Sequence, residues 1–94
     1  MSPDDARIAG EIRALLTARA PAASICPSEV ARALWPEADW RDALPDVRRV
    51  ACGLARAGEV TITQGDAFLD PTAPSSGPIR LRRGPQWQAG PSKD

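Results

Sequence analysis

Apolar residues between Asp4 and Arg19 fall at Ile8, Ile12, Leu15 and Leu16, the spacing of one helical stripe. Ser2 or Asp4 is placed to cap the start, and Pro21 closes the segment. The small-residue stretch Ala20 to Ser24 reads as a loop. In I-C-P-S-E-V-A-R-A-L-W-P, Pro27 sits at a first helical position, with Val30, Ala31 and Leu34 on one face. This second helix is short, because Pro36 pushes Trp35 out of helical geometry. Glu37 to Asp42 forms a connector that carries Trp40. A third helix starts near Pro45 with a buried stripe at Val47, Val50, Ala51 and Leu54, and Ala57-Gly58 stops it.

The period then changes from helical to two. Val60 and Ile62 alternate with polar neighbours as a half-buried strand, and Ile79 and Leu81 alternate with Arg80 and Arg82 as a second. Gly65 to Gly77 between them, with Asp70-Pro71, Pro74 and Ser75-Ser76, reads as one long turn-rich loop. Beyond Gly84, the segment P-Q-W-Q-A-G-P-S-K-D has no period and reads as a flexible tail. The expected domain spans residues 1–83 and the tail residues 84–94. The predicted fold is α+β and mostly α: a winged helix, with three helices followed by a two-stranded β-hairpin wing. Its second and third helices make a helix-turn-helix.

A chain of 94 residues fits one small domain, and folding at this size buries only roughly 60 to 65% of the unfolded surface. A thin core of this kind, with the two-fold symmetry of many operators, makes a homodimer an expectation. Twelve acidic and twelve basic residues cancel, which argues against a non-specific coat for nucleic acid. Their distribution is mildly uneven, with five acids and seven bases in residues 46–94. Cys26 and Cys52 are too few for a disulfide framework, and without histidine they complete no common zinc site. No metal, cofactor or catalytic residue is therefore expected. Neither a signal peptide nor a run of ~20 apolar residues is apparent, so the expected compartment is the cytoplasm, away from membranes.

Six stretches together resemble a bacterial family of small winged-helix proteins catalogued as domain-of-unknown-function family 3253. They are C-P-S-E-V-A-R-A-L at Cys26 to Leu34, W-R at Trp40-Arg41, V-R at Val47-Arg48, G-E-V-T-I-T-Q at Gly58 to Gln64, D-P at Asp70-Pro71 and G-P-I-R-L-R at Gly77 to Arg82. Each is weak alone, but their order over Ile8 to Arg82 is fairly specific. The resemblance implies a fold and supplies neither an activity nor catalytic residues.

Candidate chemistry lies on two surfaces. Projection of the third helix sets Arg49, Gly53 and Arg56 opposite the buried stripe, with Cys52 beside them and Arg48 on the same helix. In a helix-turn-helix this face reads DNA, arginine taking guanine bidentately and glycine allowing close approach. A solvated face with a tolerated glycine has the same pattern, and Asp46 would repel phosphate. Arg80, Arg82 and Arg83 make a cationic cluster on the wing. Phosphate contact, edge protection and a salt bridge to Asp66 or Glu59 all account for it.

Glu29 and Arg32 are spaced as an exposed i, i+3 ion pair. Cys26 is the sole candidate nucleophile and, lacking a histidine base, reads as an inert small residue. Trp40 reads as a plug between helices, and Trp87 as an exposed anchor or a residue of the tail. The leading expectation is a non-enzymatic DNA-binding domain, regulator-like, with duplex DNA as partner. The alternative is a protein-interaction module. RNA binding is disfavoured by the lack of exposed tyrosine or phenylalanine on the predicted sheet.

Overall fold

The computed structural model describes residues 3–37, 39–65, 67–69 and 78–87. Helix α1 spans Pro3–Thr17 and buries Ile8, Ala9, Ile12 and Leu16, while Leu15 is only half-buried. Asp4 and Asp5 stand in its first turn, where carboxylates complement the helix dipole. Its last turn has no basic residue of its own. The cation there comes from far along the chain, as Arg83 donates from Nη2 to the carbonyls of Leu16 (2.9 Å) and Arg19 (3.1 Å).

Ile25 then pairs with Leu81, each backbone N–H donating to the other's carbonyl at 2.8 Å. Helix α2, Pro27–Leu34, follows at once. Pro27 occupies its first turn without wasting a donor, and the N–H of Cys26 donates to the Glu29 carboxylate at 2.9 Å. The connector holds a 3-10 turn at Trp40–Ala43, entered through Asp39, whose side chain accepts from the Arg41 N–H at 3.2 Å. Helix α3, Leu44–Arg56, buries the expected stripe of Val47, Val50, Ala51 and Leu54. Gly58 ends it in the left-handed region at φ 80°, where a side chain is strained.

The sheet differs from the expected hairpin. It has three antiparallel strands, β1 (Val60–Gln64), β2 (Ala67–Phe68) and β3 (Arg80–Arg83), in the order β2-β1-β3. The chain turns at Gly65, with φ 60°, and pairs β2 directly onto β1, Gln64 facing Ala67 and Thr63 facing Phe68. Part of the expected long loop is thus a strand. Two residues are too few to show a period of two, which is why the alternation missed β2. The other side of β1 pairs with β3, in the register Val60–Arg83, Thr61–Arg82, Ile62–Leu81 and Thr63–Arg80. Ile79 is buried but precedes the strand.

The three helices pack on one another, and α3 on β1, around one core in which Ile8, Ile12, Ile25, Val30, Val47 and Leu81 are fully buried. The chain after β3 turns back over β1. Gly84 donates to the Glu59 carbonyl (2.9 Å) and Gln86 to that of Gly58 (2.8 Å). A Cβ at residue 84 would lie 2.9 Å from the Val60 carbonyl carbon and oxygen, so the close approach requires glycine. Trp87, read from the sequence as an exposed anchor or tail residue, is half-buried against the core with the Arg83 guanidinium 5.3 Å from its ring centre. Residues 88–94 lie outside the described part.

Candidate interaction surfaces

Helix α3 presents Arg49, Gly53 and Arg56 outward, as its periodicity predicts. The state of their charges is another matter. Arg49 donates from Nη1 and Nη2 to the two carboxylate oxygens of Asp5 on α1, at 2.8 and 2.7 Å, and from Nη2 to Asp46 one turn earlier at 3.1 Å. Asp5 is 9% exposed, so this carboxylate is fixed at the helix-helix seam. Hydrogen bonds to Asp5 first, then to Asp46, raise the Arg49 pKa above its ordinary value. The fork of the guanidinium that would grip a guanine is already filled by a carboxylate.

Arg56 is exposed, whereas Arg48 is half-buried and engaged in its surroundings. Arg48 also lines a cleft of about 340 Å³ with Cys26, Pro27, Ser28, Leu44, Pro78 and Ile79. Nothing stands within 4 Å of a Cβ built at Gly53, so only open space lies outside it. Cys52 is half-buried and packs against the core.

The strand arginines divide between the two faces of the sheet, because residues paired across antiparallel strands share a face. Arg83 lies on the inner side with Val60, half-buried, and donates to the carbonyls at the end of α1. Arg80 and Arg82 lie on the outer side with Thr61 and Thr63. Arg80 donates from Nε to the Ser24 hydroxyl (2.9 Å) and from Nη2 to the Ser24 carbonyl (3.1 Å), and Arg82 from Nη1 to the Ala22 carbonyl (3.4 Å). These bonds hold the loop between α1 and α2 against β3. Neither strand arginine takes the expected salt bridge to Glu59, whose carboxylate is held by Arg13 of α1, Nη2 to Oε1 at 3.0 Å. That contact lowers the Glu59 pKa. Asp66, the other expected partner, lies outside the described residues.

The Glu29–Arg32 pair expected along α2 does not form. Glu29 binds Arg19 at 2.6 Å, which depresses its pKa, while Arg32 and Arg41 lie over the Trp40 ring with guanidinium carbons 4.5 Å from its centre. Trp40 is half-buried and packs against the core between them. Cys26 is half-buried at the start of α2 and accepts the Ser28 hydroxyl at 3.1 Å. Among the described residues no three His, Cys, Asp or Glu side chains gather as metal ligands. Nor is any described helix long and apolar enough to cross a membrane.

Sequence reasoning missed two features. Asp5 is one acid among several at a helix start, and nothing in its neighbourhood signals a partner in α3. Phe68, in the overlooked β2, is 75% exposed and faces Thr63, so it shares the outer sheet face with Arg80. The sheet thus carries an exposed phenylalanine, against the expectation of none. The signal for it was Gly65-Asp66 followed by A-F-L, a turn pair and then three apolar residues.

The architecture is that of a small, mostly helical α+β protein with three helices and a three-stranded antiparallel sheet. The chain belongs to the family described as protein of unknown function (DUF3253), whose model matches residues 5–84. No curated protein matches it.

Proposed function

We propose that this chain is a winged-helix domain that works by binding a protein partner. The winged-helix reading is supported by the order of elements: a helix, an extended residue paired to the last strand, two helices, then the strands, with β1 and β3 pairing antiparallel as the wing hairpin. Fold alone favours no partner over another. The observation that carries the functional reading is the state of Arg49. With its guanidinium closed on Asp5 and flanked by Asp46, the centre of the α3 face offers duplex DNA a neutralised arginine and an acid at the helix start.

The rest of the expected cationic set is divided between α3 and β3. Arg83 is half-buried against the end of α1 and Arg48 is half-buried and engaged, so the exposed members are Arg56 on α3 and Arg80 and Arg82 on β3. Tight binding to duplex DNA needs several phosphates neutralised together, with a steep dependence on salt. An exposed aromatic on a short edge strand is, by contrast, the kind of residue that anchors protein interfaces.

The test has two arms. Fluorescence anisotropy of a mixed duplex pool, titrated with the full chain at about 50 mM salt, is expected to show no saturable binding. Saturable binding that falls with salt and disappears in Arg49→Ala/Arg56→Ala would overturn the reading. A photo-crosslinking amino acid placed at position 68 in cells is expected to give one discrete protein adduct, and the same group at position 56 none.

A further inference from the structure

The outer face of the sheet, beyond being the side on which a partner docks, carries a pattern that specifies the partner's chemistry. We infer that Phe68, Arg80 and Arg82 form a docking site for an extended acidic segment with an apolar anchor residue. This inference rests on the protein-interaction reading and gives it a partner class.

Register places the three side chains. Phe68 and Arg80 both pair with Thr63, one from each neighbouring strand, so all three share a row across the outer face. With strands ~4.8 Å apart, Phe68 and Arg80 are separated by about 10 Å, and Arg82 stands ~7 Å from Arg80 along β3. No position of this face supplied by the described strand residues bears a carboxylate; its other members are Thr61, half-buried, and Thr63, buried between Phe68 and Arg80, so the three larger side chains are what the face offers to a partner. Phe68 is 75% exposed, and Arg80 and Arg82 are exposed as well.

The hydrogen bonds of the two arginines go to carbonyl and hydroxyl oxygens of Ser24 and Ala22. Neutral acceptors orient a guanidinium without cancelling its charge, and each arginine has five N–H donors, so several remain for a ligand. Glu29 is the carboxylate whose titration feels Arg80, and it is already bound by Arg19 at 2.6 Å and by the Cys26 N–H. The contrast with Arg49 is direct, since there two carboxylates occupy the fork.

Charge complementarity therefore selects an anion beside an apolar group. A nucleic-acid strand satisfies it poorly: two arginines on a single strand give a salt slope of only about −1.4 on a logarithmic scale, too shallow for useful affinity. A peptide can add burial of an apolar side chain against Phe68 to the two ion pairs. An extended chain advances ~3.3 Å per residue, so an apolar residue on Phe68 puts acids about three positions further on at Arg80 and Arg82.

Selection of a random peptide library displayed on phage against the immobilised full chain tests this. Enriched peptides are expected to carry an apolar residue followed within three or four positions by Asp or Glu. As synthetic fluorescent peptides they should lose at least tenfold in affinity against Phe68→Ser, and likewise against Arg80→Gln/Arg82→Gln. Circular dichroism of both variants checks the fold, and Phe68→Ser, with no buried contact to lose, keeps the test decisive if the arginine variant unfolds. Enrichment without acids, or affinity unchanged in Phe68→Ser, would overturn the inference. If selection fails while the crosslinker at position 68 still captures a protein, the acidic-partner inference falls and the protein-interaction reading stands. Salt-dependent duplex binding lost with Arg49 and Arg56 would remove both.

Discussion

The outward face of α3 and the outer face of the sheet both present arginines to solvent, yet they differ in what lies beside them. On α3, Arg49 meets Asp5 and Asp46, and its charge is compensated within the domain. On the sheet, Arg80 and Arg82 meet the oxygens of Ser24 and Ala22, which direct the side chains and leave their charge for an external anion. A count of cations ranks the two faces alike. Neighbouring acceptors separate them, because a carboxylate cancels field while a carbonyl mainly supplies geometry.

The sheet half of this comparison breaks most severely at Leu81, which lies between the two arginines and points into the core, fully buried against Ile62 across the strand pair. Leu81→Ala is expected to cost about 3 kcal/mol in denaturant unfolding, as truncation leaves a cavity under both β1 and the Ile25 bridge. The helix half is tested by Asp5→Asn/Asp46→Asn. It should lower the melting temperature by a few degrees and free Arg49; appearance of duplex binding in this variant alone would mean that the carboxylates mask a DNA-reading face. Gly53→Ala should stabilise the chain by roughly 0.5 to 1 kcal/mol, since its Cβ meets open space on a helix. A loss of stability there would imply something seated on α3.

Acid sharpens the comparison from another side. Glu29 and Glu59 have depressed folded pKa values through Arg19 and Arg13 respectively, so both bind protons less readily folded than unfolded. Their contribution is present above the ordinary glutamate range and is lost as pH falls through their lowered folded values. Thermal stability should therefore decline on acidification below that range, and the decline should flatten in Glu59→Gln. The smallest effect expected is that of Phe68→Ser, within about 0.5 kcal/mol of the parent, because the side chain is exposed.

Much of the fold was legible because helices announce themselves over short distances. The stripes at Ile8, Ile12 and Leu16 and at Val47, Val50, Ala51 and Leu54 are buried as their spacing required, and prolines and Gly58 bound the helices where backbone chemistry demands. Strand β2 was hidden by its length. The direction of Gly53 and Arg56 could also be read from the helical period, whereas the partners of Arg49, Arg80 and Arg83 could not.

Local sequence fixed which residues form helices, which stripe each buries and which side chains face outward, since all of these follow from dihedral preference and period within a few residues. Tertiary structure alone decided which acceptor each of these arginines meets, and so whether a carboxylate cancels its charge. Asp5 reaches Arg49 across 44 positions, Ser24 takes Arg80 across 56, and the carbonyl of Leu16 takes Arg83 across 67. Such pairings depend on how α1 crosses α3 and on the placement of β3 beside the loop between α1 and α2. No local pattern encodes that geometry, because it arises from packing the core as a whole.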